Sequence, residues 1–543
     1  MYPPIRIIYH TQSVGLLQEK NSFSFFLKNL KKIKMCYNQF HNMIGDDFVK
    51  FDVLKNPWIP VLVSETELKE ISMRDVLVNS HNYLSISASN PMIECGLYRL
   101  LTTLVLDIYQ PRDAEDIQKL MDEGQFDEKV IDNYFEDCLS KGCSFDLFDS
   151  IHPWLQRCRR EDDKRNIVLA SYIDFDKPSG NNHIHYCHNL DDISYSPAEA
   201  AQLLPSYYTL TPMGGAGYYK SVNGTPPYFG FVQGQNLFET LVLSTPDLSM
   251  CDLDNLGSQP AFWKSDVNQY VAKEVVDRPS MIFSLMFPTR EITFLPKSNG
   301  QVKEMLFGPG LKFTDSLAKD VEKRRYDPQV FYHTDDKRLP VVPMPDSALW
   351  VGLGHIIDDG APATVRRLKK MKSIPYAHVI IYDIRFKKAS IYSANAIEMD
   401  INGKRFQDPR FSELTEAYLS YVQAVSLKFQ KILRVERGKS SNGNHFYDIP
   451  EVLQKEAMQK FNAFCMDFVF EQLRSEDYPE GFDMEKEATR WKENTVEIAR
   501  NTFNSIQSRI NTLTSKKLVR VMSAYRKNML SIEKQKLDYP AGK

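Results

Sequence analysis

The chain has no CxxC pair. Its 543 residues hold eight cysteines, Cys36, Cys95, Cys138, Cys143, Cys158, Cys187, Cys251 and Cys465, too sparse for a disulfide framework. They read as reduced thiols of a cytosolic protein. No apolar run reaches the length of a membrane span. The one apolar patch near the start, Phe23–Leu27, is flanked by Lys20 and Lys28 and has no small-residue cleavage site after it, which argues against a signal peptide. There is no GxSxG elbow, no HExxH and no kinase signature set, so no familiar catalytic machinery is legible. Asp191-Asp192 and Asp335-Asp336 are adjacent carboxylates, the pattern of a solvated surface. Charge of one sign is lacking too. Lys and Arg number 67 and Asp and Glu 70, for a net charge of −3. A freestanding DNA-binding protein is normally basic. Nucleic-acid contact here requires local patches, or an assembly whose other members supply the positive field.

What is present is ample apolar material. Hydrophobic residues are 43% and charged residues 25% of the chain, globular values for two to four structural units. Residues 1–42 differ from the rest and read as an extension, either poorly ordered or an over-called start, with Met43 as a second candidate start. Asn56–Val63 reads as a short strand bounded by prolines. Residues 91–108 form an apolar helix with proline near its start. Residues 114–140 are acidic and helical in pattern. From about 165 to 400, β-rich runs (Tyr228–Val232, Met281–Phe287, His378–Tyr382) alternate with proline, glycine and asparagine turns.

The last third is different. Four stripes follow helical spacing: Leu414, Tyr418, Tyr421, Val425, Ile432; Leu453, Ala457, Phe461, Phe464, Phe468; Ala499, Phe503, Ile506, Ile510, Leu513; and Leu518, Val521, Tyr525, Met529, Ile532. Breaks fall at Gly438–Asn444, Pro479–Gly481 and Thr514-Ser515. Four amphipathic helices bury such stripes most simply as a four-helix bundle. The expected fold class is therefore α+β: a large irregular mixed α/β domain over 43–404, then a four-helix bundle over 405–543.

The most informative stretch is Pro212–Thr225. Gly214, Gly215, Ala216 and Gly217 leave a backbone nearly free of side chains, which another backbone can approach closely. Tyr218, Tyr219 and Lys220 add stackable rings and a cation, a set suited to a phosphate backbone or groove. A nucleotide-binding P-loop fails at Tyr219, where that motif needs glycine. A plain turn without a ligand is the rival reading. His183, His185, Cys187 and His188 invite a zinc reading, but no second ligand pair is visible, and Asn181-Asn182 favours a polar hydrogen-bonding loop. Three basic features stand out. Arg366, Arg367, Lys369, Lys370 and Lys372 fall within seven residues. Residues 501–543 carry nine Lys or Arg, among them Lys516, Lys517, Arg520, Arg526 and Lys527, against Glu533 and Asp538. Lys387-Lys388-Ala389 lies between two strand-like runs, as a hairpin tip does. Each alone reads as a solvated face; with the glycine loop they tilt toward a nucleic-acid partner.

Several segments, in order, resemble one family: Asn56–Val61 (NPWIPV), His152–Gln156 (HPWLQ), Asn181-Asn182-His183, the glycine loop with Gly224-Thr225-Pro226, Gln259–Trp263 (QPAFW) and Leu311–Thr314 (LKFT). Together they resemble the CasA-type large subunit of the type I-E CRISPR Cascade complex, from about residue 50 to the end. The resemblance implies a cytoplasmic, non-catalytic protein without cofactor. Its partners would be crRNA, the backbone, handle-binding and small subunits, double-stranded target DNA and a helicase–nuclease, with no membrane. It would test duplex DNA for a protospacer-adjacent motif while the guide RNA reads sequence. Gly214–Gly217 would be the motif-sensing loop, with Gly217 against the minor groove. Lys312 would be the lysine that enters that groove, where A·T and T·A present similar acceptors. Lys387-Lys388-Ala389 would be the wedge. A familiar member reads Asn-Gln-Ala there, so two of three positions depart, and a lysine wedge lacks glutamine's specific hydrogen bonds. Asn181, Asn182 and His183 would reach toward the crRNA handle. Where some relatives carry a cysteine-rich knuckle this chain reads Thr293–Lys297, so that metal site is expected to be absent. An enzyme of nucleic-acid metabolism built on scattered residues, and a purely architectural scaffold, are the alternatives.

Overall fold

The computed structural model describes residues 49–177, 193–211, 222–250, 259–265, 267–270, 274–276, 279–313, 327–334, 339–343, 359–371, 376–387, 390–439, 445–475 and 482–539. Strand β1 (Ile59–Ser64) follows Asn56-Pro57-Trp58 and pairs with β2 (Glu67–Ile71). Helix α1 (Met73–Val78) starts where Ser72 accepts from the Asp75 amide, and β3 (Ser85–Ile86) closes the small sheet in the order β2-β1-β3. Helix α2 (Pro91–Tyr109) is the axis of the core. Asn90 Oδ1 accepts from the Met92 and Ile93 amides at 3.1 and 3.0 Å, Pro91 occupies the first turn, and Gln110 ends the helix in the left-handed region at φ 45°. Between Met92 and Leu106 only Glu94 is not fully buried. The acidic stretch expected to be helical is two helices, α3 (Ala114–Glu123) and α4 (Glu128–Ser140). Gly124, at φ 71°, terminates the first, and Asp127 caps the second.

After β4 (Asn166–Leu169) comes α5 (Pro197–Leu210), opened by a reciprocal Ser196–Glu199 capping box. It crosses α2 so closely that a Cβ on Gly96 would lie 2.4 Å from Ser206 Cα. The chain continues through β5 (Phe229–Gln233), α6 (Leu237–Ser244), β6 (Val275–Val276), α7 (Met281–Leu285), β7 (Arg290–Pro296), β8 (Val302–Pro309), β9 (Lys312–Phe313), α8 (Ala363–Arg367), β10 (Tyr376–Lys387) and β11 (Ser390–Asn402). Sheets β11-β10-β5 and β4-β8-β7 are antiparallel, whereas β6 and β9 pair in parallel. The Met281–Phe287 run departs from its β-rich reading. Ser280 Oγ accepts from the Phe283 amide at 3.1 Å and nucleates a helical turn, a cap that the apolar pattern conceals.

A short helix α9 (Gly403–Gln407) leads into α10 (Pro409–Leu433), the hairpin β12 (Glu436–Lys439) and β13 (His445–Tyr447), then α11 (Glu451–Arg474), α12 (Met484–Ile510) and α13 (Ser515–Glu533). Tyr418 and Thr495 share a 2.6 Å hydrogen bond between α10 and α12, Phe429 stacks on Phe461 of α11, and Phe503 stacks on Tyr525 of α13. Trp491, 1% exposed, meets Phe411, Tyr418 and Phe468 edge-on. Burying one such ring contributes roughly 1.5–3 kcal/mol. The stripes face this core except Phe464, which is 47% exposed because α11 turns it away from its neighbours. The described residues make a mixed α+β protein, with the larger sheets in the N-terminal part and the long helices α10–α13 with the β12-β13 hairpin in the C-terminal part. Among the described residues no helix is long and apolar enough to cross a membrane.

Candidate nucleic-acid interface

Lys312 stands on a small apolar platform apart from the main core. Strand β8 delivers the chain to Gly310, where a Cβ would sit 2.3 Å from the Pro288 carbonyl oxygen and 2.6 Å from the Arg290 nitrogen, so the backbone passes where only glycine fits. The Leu311 amide then donates to Pro288 O at 2.9 Å and the Lys312 amide to Glu274 O at 2.8 Å, which docks β9 on β6. Leu311 packs with Val276, Phe283 and Phe287, and Val222 and Tyr270 lie against the same cluster. The Lys312 side chain is partly exposed.

Gly214, Gly215, Ala216, Gly217 and Lys220 lie outside the described residues, but both ends of their loop are held. On the entry side Thr211 is fully buried and its hydroxyl donates to Tyr207 O at 2.6 Å. On the exit side Val222 joins the Lys312 platform, and Asn223 Nδ2 donates to Asp327 Oδ2 at 2.9 Å. Asp327 is paired with the guanidinium of Arg99, both at least nine-tenths buried. Arg99 also donates to Gln329 Oε1 at 2.7 Å and to Leu285 O at 3.1 Å, the end of α7. One buried ion pair on α2 thus fixes the loop exit and the helix under Lys312 together. Nothing in the local sequence points from Arg99 to its partner, because Asp327 lies 228 residues away.

The described flanks of the candidate segments converge on a run of aromatic contacts. Phe386 meets Phe175 edge-on at 6.0 Å, Phe175 stacks on Tyr207 at 5.5 Å, and Tyr207 meets Phe307 at 6.1 Å. Phe386 precedes Lys387 at the end of β10, Tyr207 lies in α5 just before the glycine loop, and Phe307 lies in β8 just before Lys312. Phe175 lies at the base of the segment bearing Asn181, Asn182 and His183, which with His185, Cys187 and His188 is outside the described residues. That base is clamped, because the Tyr195 hydroxyl donates to Asp174 Oδ2 at 2.8 Å. Burial raises the Asp174 carboxyl above its ordinary range. Lys387 pairs in register with Ser390; Lys388 and Ala389 are outside the described residues.

The basic candidates divide. Arg367 is corrected: it is 4% exposed, and its guanidinium donates to Leu243 O at 2.6 Å, Thr245 O at 2.9 Å and Asp247 Oδ2 at 3.0 Å. It is a core ion pair and presents no cation to a partner. Arg366 is half-buried and donates to the Asp359 carbonyl. Lys369 and Lys370 are exposed, Lys369 lying 5.1 Å from the centre of the Phe406 ring. On α13, Lys516, Arg526 and Lys527 are exposed and Lys517 is half-buried. Arg520 is committed to Asp448 through two 2.7 Å bonds. The segment His152–Gln156, notable in sequence only for its resemblance, is structural: Gln156 Nε2 donates to Leu147 O at 2.7 Å, and its Oε1 accepts from the Phe294 amide at 2.7 Å. The adjoining Arg157 pairs with Glu291 in the interior and donates to Tyr270 O, buttressing the Lys312 platform. Among the described residues no group of three or more His, Cys, Asp or Glu is arranged to hold a metal.

Comparison with known proteins agrees with this architecture. The CasA/Cse1 protein of Thermus thermophilus is 26% identical over 281 residues. The match covers 50% of this chain and 54% of that protein, so the chain spans about half the length of this curated relative. The crystal structure of Cse1 from Acidimicrobium ferrooxidans superposes with a TM-score of 0.66 at 19% identity, over 90% of this chain and 99% of that one. A chain of a structure described as a CRISPR RNA-guided surveillance complex superposes with a TM-score of 0.66 at 17% identity, over 89% and 99%. At such identities these superpositions speak for the fold alone. A model of the family described as CRISPR-associated protein Cse1 matches residues 52–501, most of the chain, including α2, the Lys312 platform and the C-terminal helices α10 and α11 with much of α12. The chain belongs to the Cse1 family, the CasA-type large subunits of type I-E Cascade.

Proposed function

We propose that this chain is the non-catalytic large subunit of a crRNA-guided type I-E surveillance complex. In this reading it senses a protospacer-adjacent motif in duplex DNA, starts unwinding and recruits a helicase–nuclease. The observation that carries the reading is the shared platform: Val222, at the exit of the glycine loop, and Leu311, beside Lys312, pack in one small apolar cluster. Two segments far apart in the chain, the exit of the glycine loop and the strand that carries Lys312, are thereby anchored on one platform. A minor groove accepts that pair: the bare backbone, with Gly217 foremost, lies flush on the groove edge, and the cation finds acceptors on A·T and T·A pairs alike.

The Lys387-Lys388-Ala389 turn serves as the wedge, acting by bulk and charge. Unstacking a step costs a few kcal/mol, offset by backbone contacts. Asn181, Asn182 and His183 reach toward the crRNA handle, since their segment springs from the same aromatic run. Residues 43–404 form the motif-sensing domain behind an extension at 1–42. Residues 405–543 act as a four-helix bundle against the small subunits, with Lys516, Lys517, Arg526 and Lys527 toward a DNA strand. The protein acts in the cytoplasm without a cofactor. The test is duplex binding by the reconstituted complex. Gly217→Ala should weaken motif-bearing duplex selectively, and Lys312→Ala should lower affinity with a salt slope shallower by about one. Equal losses on motif-free DNA, or no loss with either variant, contradict the reading.

A further inference from the structure

Helix α4 ends in a turn that brings two thiols together. Gly142, at φ 86°, lets the Cys143 amide donate to Cys138 O at 3.1 Å while its own amide donates to Leu139 O at 3.0 Å. In this helix-ending motif the two residues flanking the turn touch through their side chains, usually as an apolar contact. Here both are cysteines. Cys138 is fully buried, while Cys143 is half-buried and opens on a cavity of about 260 Å³ walled also by His152, Trp154, Trp263 and Lys264.

We propose that Cys143 is a peroxide-reactive thiol and Cys138 its resolving partner. The Cys143 thiolate attacks the O–O bond of a hydroperoxide, forming the sulfenic acid and releasing hydroxide or alkoxide. The Cys138 thiol then attacks the Cys143 sulfur, an S–S bond forms, and the sulfenic oxygen leaves as water with the Cys138 proton. Two electrons pass from the thiol pair to the peroxide. The surroundings suit the first step. The neighbouring Cys138 side chain, with the Lys264 ammonium, brings the Cys143 thiol down to about 7 against desolvation and Asp137. Lys264 is anchored by Asp107 at 2.7 Å and lies 4.3 Å from the centre of the Tyr134 ring. Lys141 is paired with Asp137 at 2.7 Å, and His152 faces the same cavity. The buried Cys138 thiol is pushed up, so it stays protonated until an electrophilic sulfur sits beside it. The turn already sets the two cysteines at the flanking positions whose side chains meet in this motif.

The test uses the full chain, hydrogen peroxide and peptide mapping with differential alkylation. The expected product is a Cys138–Cys143 disulfide, reversed by dithiothreitol, with Cys138→Ser instead leaving a sulfenic acid at Cys143 that dimedone labels. Without any variant, iodoacetamide at neutral pH should alkylate Cys143 about tenfold faster than an unstructured cysteine peptide, in keeping with its larger thiolate fraction. Equal alkylation rates, or peroxide oxidation of Cys158 with no Cys138–Cys143 linkage, overturn the proposal.

Discussion

Asn223→Ala isolates the tether between the glycine loop and the core. The substitution removes one amide donor from Asp327 and leaves Arg99 with Asp327, Gln329 Oε1 and Leu285 O as partners. The buried pair survives, so the core should too. A hydrogen bond to a charged acceptor contributes about 1.5–3 kcal/mol. Asn223 is half-buried, so water partly replaces the lost donor, and the lower end applies. About 1.4 kcal/mol is tenfold in an equilibrium. If the tether keeps the loop in its binding pose, the reconstituted complex should bind motif-bearing duplex about tenfold more weakly. Binding to motif-free duplex and the denaturation midpoint should stay nearly as in the native chain. Asp327→Ala is the contrast. It strands the Arg99 charge in the interior and should cost about 3–5 kcal/mol of stability. An Asn223→Ala chain that binds both duplexes with native affinity would refute the argument that this contact positions the loop.

Two further outcomes follow from the core around α2. The Glu94 carboxyl is raised above 4.5 by burial, although Tyr382 Oη donates to it at 2.6 Å. An acid raised in the fold contributes stability that is complete below its unfolded value and is lost as pH rises through its folded one. Glu94→Gln should therefore gain stability over the native chain as pH climbs from 4.5 toward neutrality, and a pH-independent difference in denaturation would count against it. Gly96→Ala places a Cβ 2.4 Å from Ser206 Cα and N, all backbone, so α2 and α5 must part; a loss of about 1–3 kcal/mol or more in urea denaturation is expected, and a native midpoint would refute that crossing.

The legible parts of the fold were those with local cause. Asn90-Pro91 announces α2, and the stripes from Leu414 to Ile432 and from Ala499 to Leu513 announce long helices, because cap chemistry and helical period are written in adjacent residues. Met281–Leu285 was opaque: a short run of large apolar residues fits strand and helix alike, and only the Ser280 cap decides. Lys387 at a strand end could be anticipated from the β-rich runs on either side. The platform could not. Val222, Tyr270, Val276 and Leu311 meet through tertiary packing, and no periodicity links them. Charge runs misled at Arg367, because a count of cations along the chain is blind to a carboxylate 120 residues away at Asp247. The buried hub at Arg99 and Asp327, 228 residues apart, escapes sequence reading for the same reason.

The most direct measurement is a site-specific photocrosslink from position 312 in the reconstituted complex, mapped on a motif-bearing duplex. The account predicts adducts at the motif base pairs, lost when the motif is scrambled. Adducts confined to protein neighbours, or spread along the duplex regardless of the motif, would contradict it.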